Sequence, residues 1–216
     1  MFFQFFSLLK RFVRRSFGEC IDCQGINQKT QNDNRVSEIN VAAPDCGCEK
    51  YRMSEYSPSV VGDSEQLALF IFLPIFQIGK NGKAKSNTFS HVHKKGRSIQ
   101  RDSVATSSEL DQFARDFLDA DERRIWKGVL LAKCADVRNI KTDDLLNRAV
   151  CVYDTAERKN PAHGEMAQTQ HIDEADEIEL RNKLLEVFGR GDFIAPSQYR
   201  GGVIWNNLPQ PLQVRI

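Results

Sequence analysis

The run from Leu67 to Phe76, LALFIFLPIF, constrains the fold of this chain more than any other stretch. It is too short to cross a bilayer as a helix, which takes about 20 apolar residues. An apolar, aromatic-rich run of this length reads instead as a buried strand. Pro74 has no N–H to give a neighbouring strand, so the strand should end or bulge there.

The rest of the composition supports a folded domain around that strand. Of the 216 residues, 41% are hydrophobic and 27% charged, which excludes wholesale disorder, collagen-like repeats and a polytopic membrane protein. Lys and Arg number 30 against 29 Asp and Glu, a net charge of +1, so any electrostatic preference for a partner must be local.

Local signals then place further elements. Gly79 to Lys83 is a turn of the Asn-Gly kind. Thr88 to His93 and Arg97 to Arg101 read as two short strands around Lys94-Lys95-Gly96, a hairpin. Thr106 and Glu109 form a capping-box pair, after which Leu110, Phe113, Ala114, Phe117 and Leu118 recur at helical spacing. Trp126 to Lys133 and Ala149 to Asp154 read as strands. A helix begins in the acidic turn at Asp173 and stops at Phe188, before Gly189. Strands and helices mix without regular alternation, so the expected class is α+β: a single domain with a mixed or antiparallel sheet and two main helices.

The expected domain spans residues 53–200, with Met53-Ser-Glu reading as its natural start and 201–216 as an irregular arm packing through Trp205. Residues 1–52 read as an extension that the folded unit does not need. On a helical wheel, residues 2–17 gather Phe and Leu on one arc and Lys10, Arg11, Arg14 and Arg15 on the other, a pattern suited to peripheral contact with an anionic membrane. Those charges follow the apolar residues rather than precede them, which is not a signal-peptide order, and the default compartment is the cytoplasm.

Six cysteines are too few for a disulfide-dense secreted scaffold. Cys20-x2-Cys23 and Cys46-x-Cys48 could supply four thiolates to a tetrahedral zinc ion, the first pair having zinc-knuckle spacing. The alternative is a polar linker with free thiols, because residues 24–45 carry little to pack around a metal. Cys134 and Cys151 sit in apolar runs and read as buried, inert thiols.

Function points to the window 80–101, which holds Lys80, Lys83, Lys85, Lys94, Lys95, Arg97 and Arg101 and no acidic residue. Such a window suits a phosphate-bearing ligand, a nucleotide or nucleic acid, with His91, His93 and Arg101 facing it and Lys83, Lys85, Lys94, Lys95 and Arg97 binding it. The bland reading is a solvated loop that keeps an edge strand soluble. An enzyme reading joins His91 and His93 to His163 and Glu165, a three-histidine metal site or an acid–base pair in a hydrolase or transferase. A third reading places Ser98, Arg101 and Glu165 on successive strands, a layout that resembles ADP-ribosyl-transferring domains. No phosphate-binding loop, dinucleotide fingerprint, nucleophile elbow or His-Glu-x-x-His motif occurs. The chain could also be an interaction protein without chemistry, held at a membrane by residues 2–17.

The segments LALFIF, FSHVHKKGRSIQRD, CADVR and PAHGE together resemble a loose group of small uncharacterised bacterial proteins over about residues 67–165. That resemblance implies a bacterial intracellular protein and supplies no activity and no functional residues.

Overall fold

The LALFIF run forms β1 (Gln66–Leu73), buried over Leu67–Phe72 as its composition requires, and ends at the Leu73–Pro74 bond. A computed structural model describes residues 20–28, 33–76, 78–142, 145–199 and 201. The expected amphipathic helix at 2–17 and nearly all of the C-terminal arm, Trp205 included, lie outside these residues.

Four further strands complete the sheet: β2 (Arg97–Arg101), β3 (Ile125–Lys133), β4 (Val150–Asp154) and β5 (His163–Gln168). Their order is β3-β1-β2-β5-β4, and every neighbouring pair is antiparallel. Alternate residues of β1 serve opposite faces. Phe70 and Phe72 meet Phe113, Phe117 and Trp126, with centroid separations of 4.4–6.5 Å. Leu67, Leu69 and Ile71, of opposite parity, are equally buried, so both faces of this strand are covered.

Phe113 and Phe117 belong to α3 (Ser107–Asp119). Its start is the expected capping box: the Glu109 N–H donates to Thr106 Oγ1 at 3.2 Å, and the Thr106 N–H donates to the Glu109 carboxylate at 2.7 Å. The second long helix, α5 (Glu177–Val187), buries Leu180 and Leu184 and ends before Gly189, whose φ is +72°. A short α4 (Cys134–Arg138) follows β3 directly. The result is a single mixed α+β domain with an antiparallel sheet. Among the described residues no helix is long and apolar enough to cross a membrane.

One reading of local structure is corrected. Thr88 to His93 is not a strand. Ser86–Phe89 makes one 3-10 turn, and the chain then curls so that the His91 carbonyl accepts from the N–H groups of Lys94, Lys95 and Gly96. A run of Ser, Asn and Thr satisfies its backbone locally in turns, and β2 finds its partners in β1 and β5 rather than in a hairpin. The PAHGE segment leads into the buried strand β5, with His163 and Glu165 two apart along it.

Residues 20–52 are built onto the same domain rather than strung beside it. α1 (Ile21–Gln28), α2 (Arg35–Ala42) and a 3-10 turn at Gly47–Lys50 carry Cys20, Cys23, Val36, Ile39, Cys46 and Cys48. These pack with Met53 and with Cys151, Tyr153 and Ala167 of β4 and β5 into a second small core. The Val36 N–H donates to the Lys94 carbonyl at 2.9 Å, and Arg35 reaches Glu165 at 2.6 Å. Met53, read as a start, is 1% exposed inside that core. Six of the eleven buried residues of that core carry sulfur, so cysteine and methionine supply packing that the polar composition of residues 24–45 does not suggest.

Candidate anion pocket between two strands

The hydrogen-bonded register of β1 and β2 covers only Leu67↔Arg101 and Ala68↔Gln100. Beyond it β1 runs on to Leu73 along β3, while β2 runs back to Arg97 along β5. The sheet is therefore split at its middle, and a recess of about 290 Å³ opens in the split. One wall is aromatic: Phe70 and Phe72 from β1, Phe113 and Phe117 from α3, and Phe76 beyond Pro74. The other is polar and basic: His91, Lys95, Gly96, Arg97, Ser98 and Gln100. Among the described residues no acidic one lines it.

Gly96 makes the entry into β2 possible. Its φ is +84°, and a Cβ there would stand 3.0 Å from Glu165 Oε2. Arg97, the next residue, is 9% exposed and lays its guanidinium over the Phe76 ring, 4.3 Å from the centroid. It has no ion pair and no side-chain hydrogen bond among the described residues, and its Nε is buried without a partner. Burial pushes its pKa down to about 9, so at neutral pH the group is still a cation. Gln100, which also lines the recess, is 2% exposed, and its Oε1 has no donor among the described residues. Arg97 and Gln100, three apart on β2, point to opposite faces of the sheet, so the split is bordered by an unmet donor from one face and an unmet acceptor from the other.

The charges around Arg97 add to its field. Burial first, and then Arg97, Lys95 and His93, hold the His91 pKa below the ordinary histidine value. Lys95 ion-pairs with Asp33 at 3.2 Å, at the outer edge.

The other residues read as functional do not converge here. Arg101 is wholly buried and saturated: its Nε and Nη2 donate to Glu65 at 2.8 and 2.7 Å, and its Nη1 donates to the Ser59 carbonyl at 2.7 Å and stands 3.5 Å from Asp154. It anchors the 59–65 segment and faces no ligand. Ser98 and Arg101, three apart on one strand, point to opposite faces, so the layout likened to ADP-ribosyl transfer is not formed. Ser98 does pair with Glu165 across the sheet, but Glu165 is committed to Arg35.

His163 holds Thr155, 2.9 Å from its hydroxyl and 3.1 Å from its carbonyl. His93 lies 3.8 Å from Glu177 of α5. Among the described residues, groups of three side chains able to hold one metal ion contain no histidine, so the three-histidine site is not assembled. Nor do the lysines of the window make one patch. Lys83 pairs with Asp192 at 2.7 Å, while Lys85 and Lys94 stand exposed apart from the recess.

The four cysteines assigned to a single zinc site divide differently. Cys23 bonds to Cys48, and Cys46 bonds to Cys151, which is therefore buried but not a free thiol. Cys20 remains a free thiol beside the first pair. Cys134 is free and fully buried, as its apolar setting suggested.

What sequence reasoning missed is the aromatic wall and Gln100. The alternate phenylalanines in LALFIF and the i, i+4 pair Phe113 and Phe117 were visible as core. Nothing in the residue order said that the two strands part beside them. No protein-family model, curated protein or solved structure matches the chain.

Proposed function

We propose that the protein binds a small amphiphilic anion in the split between β1 and β2. The ligand has a carboxylate or phosphate head and an apolar, flat body. The observation that carries this reading is Arg97, a buried guanidinium with no counter-charge and no acidic lining residue beside it among the described residues. Leaving a buried charge unpaired is costly, and a bound anion removes that cost. The aromatic wall supplies contact for the body, and Gln100 Oε1 supplies an acceptor for a ligand hydroxyl or amine. The volume is at the small end of ligand pockets, which run from about 300 Å³ upward, and suits a metabolite-sized molecule. An extended nucleic acid would need a continuous row of free cations. Lys83 and Lys95 are already paired and Arg101 is internal, so a polymer is the weaker reading.

The test compares three probes sharing one body: naphthyl phosphate, naphthoate and naphthol, titrated by calorimetry at low and high salt. Both anions are expected to bind, more weakly as salt rises, and naphthol to bind far less. Arg97→Gln should weaken the anions by about tenfold to a hundredfold, the value of a charge-assisted hydrogen bond of about 1.5–3 kcal/mol. Equal binding of naphthol and its anionic counterparts, or undiminished binding by Arg97→Gln, would remove the proposal.

A further inference from the structure

The second small core holds three sulfurs in one place. Cys20 leads into α1, Cys23 lies in its first turn, and Cys48 comes from the 3-10 turn at Gly47–Lys50. Their Sγ atoms all lie within 4.8 Å of one another, and Cys20 Sγ is 3.3 Å from Cys48 Sγ. All three residues are buried, at 3%, 0% and 1% exposure. Cys23 and Cys48 form a disulfide, and Cys20 packs against it as a third, free thiol of the same core.

We propose that the reduced chain binds one thiophilic ion of the zinc class through the thiolates of Cys20, Cys23 and Cys48. A tetrahedral zinc–thiolate distance of about 2.3 Å sets neighbouring sulfurs roughly 3.8 Å apart, inside the observed envelope. Reduction by a dithiol breaks the Cys23–Cys48 bond and the Cys46–Cys151 bond, each giving two protein thiols and one oxidised, disulfide molecule of the reductant. Metal binding then releases three protons, one from each thiol. In a reducing compartment this is the resting form of such a cluster, and in an oxidising one the disulfide replaces the ion. The neighbouring group of Cys46, Glu49 and Cys151 is not a second site. Glu49 Oε1 accepts from Arg148 at 2.7 Å and from the Val152 N–H at 2.5 Å, and its Oε2 accepts from Arg148 at 2.9 Å. This site shares no residue with the anion recess and stands or falls independently of it.

The experiment uses the full chain, reduced with a dithiol, freed of reductant without air and titrated with cadmium(II). Wild type should show the ultraviolet charge-transfer band of cadmium thiolate, saturating at one equivalent; the oxidised chain should not. Cys20→Ser, which leaves both disulfides intact so that its folding can be verified in the oxidised state, should lose about one third of the band. Cys134→Ser should keep all of it. If the reduced chain unfolds, recovery of its circular dichroism on adding zinc(II) supports the site. No band in a reduced chain that is folded, no recovery by metal in one that is not, or an undiminished band in Cys20→Ser overturns it.

Discussion

Arg35 and Glu165, 130 residues apart in the chain, meet at 2.6 Å with side chains only 5% and 4% exposed. Through this contact α2 and β5 each neutralise a charge that the other buries. Removing one partner strands the second in a dry site, and Glu165→Gln should cost about 3–5 kcal/mol of stability in urea unfolding. Replacing both with methionine should cost much less than the two single changes added together. A simple sum would show that the pair is not coupled.

Arg97 and Arg101 lie four apart on β2 and should respond in opposite directions to the same substitution. Arg101→Met leaves Glu65 and Asp154 without their cation and should lower stability by about 3–5 kcal/mol. Arg97→Met removes a charge that has no ion-pair partner among the described residues and keeps apolar contact with Phe76. In ligand-free protein it should leave the urea midpoint unchanged or raise it. A large loss with Arg97→Met would mean that the guanidinium supports the fold.

Binding in the recess should strengthen as pH falls. In the free protein, burial and then Arg97, Lys95 and His93 hold the His91 pKa below its ordinary value. A bound anion offsets those cations, so His91 takes up a proton more readily in the complex than in the free protein. Affinity therefore rises as pH drops through the His91 value of the complex and levels off below that of the free protein. Naphthalene sulfonate, charged throughout the range, is the probe, and His91→Gln should flatten the dependence. An unchanged slope in that variant would place the effect elsewhere.

Cys134 should be inert toward iodoacetamide in native protein at neutral pH. It is fully buried, and burial pushes its thiol pKa up to about 12, leaving almost no thiolate. Peptide mass spectrometry should find it unlabelled before denaturation and labelled after. Rapid native labelling would show that β3 opens locally at its C-terminal end.

The parts of the fold legible in the sequence were those whose stability is local or purely apolar. LALFIF is buried whatever lies beside it, and the Thr106–Glu109 cap closes within one turn, so β1 and α3 could be read directly. β5 could not be read, because HGEMAQ becomes a buried strand only when Arg35 arrives from far along the chain and Thr155 satisfies His163. The same applies at the site. Arg97 and Arg101 are chemically identical in the sequence, and only the position of Glu65 makes one an internal anchor and leaves the other bare. The C-x2-C and C-x-C spacings were visible, but the pairing of Cys46 with Cys151 belongs to tertiary structure.

The bond between Cys46 and Cys151 has a further consequence. It joins residues 105 positions apart and closes a covalent ring containing β1, β2, α3, β3 and α4, while β5 and α5 hang from the ring as a tail. A backbone break within the ring, for example at the exposed Asn81–Gly82 turn, opens a circle without releasing a fragment. The oxidised protein can therefore be nicked there and remain one molecule, its two new ends held by the remaining arc, and only reduction sets the pieces free.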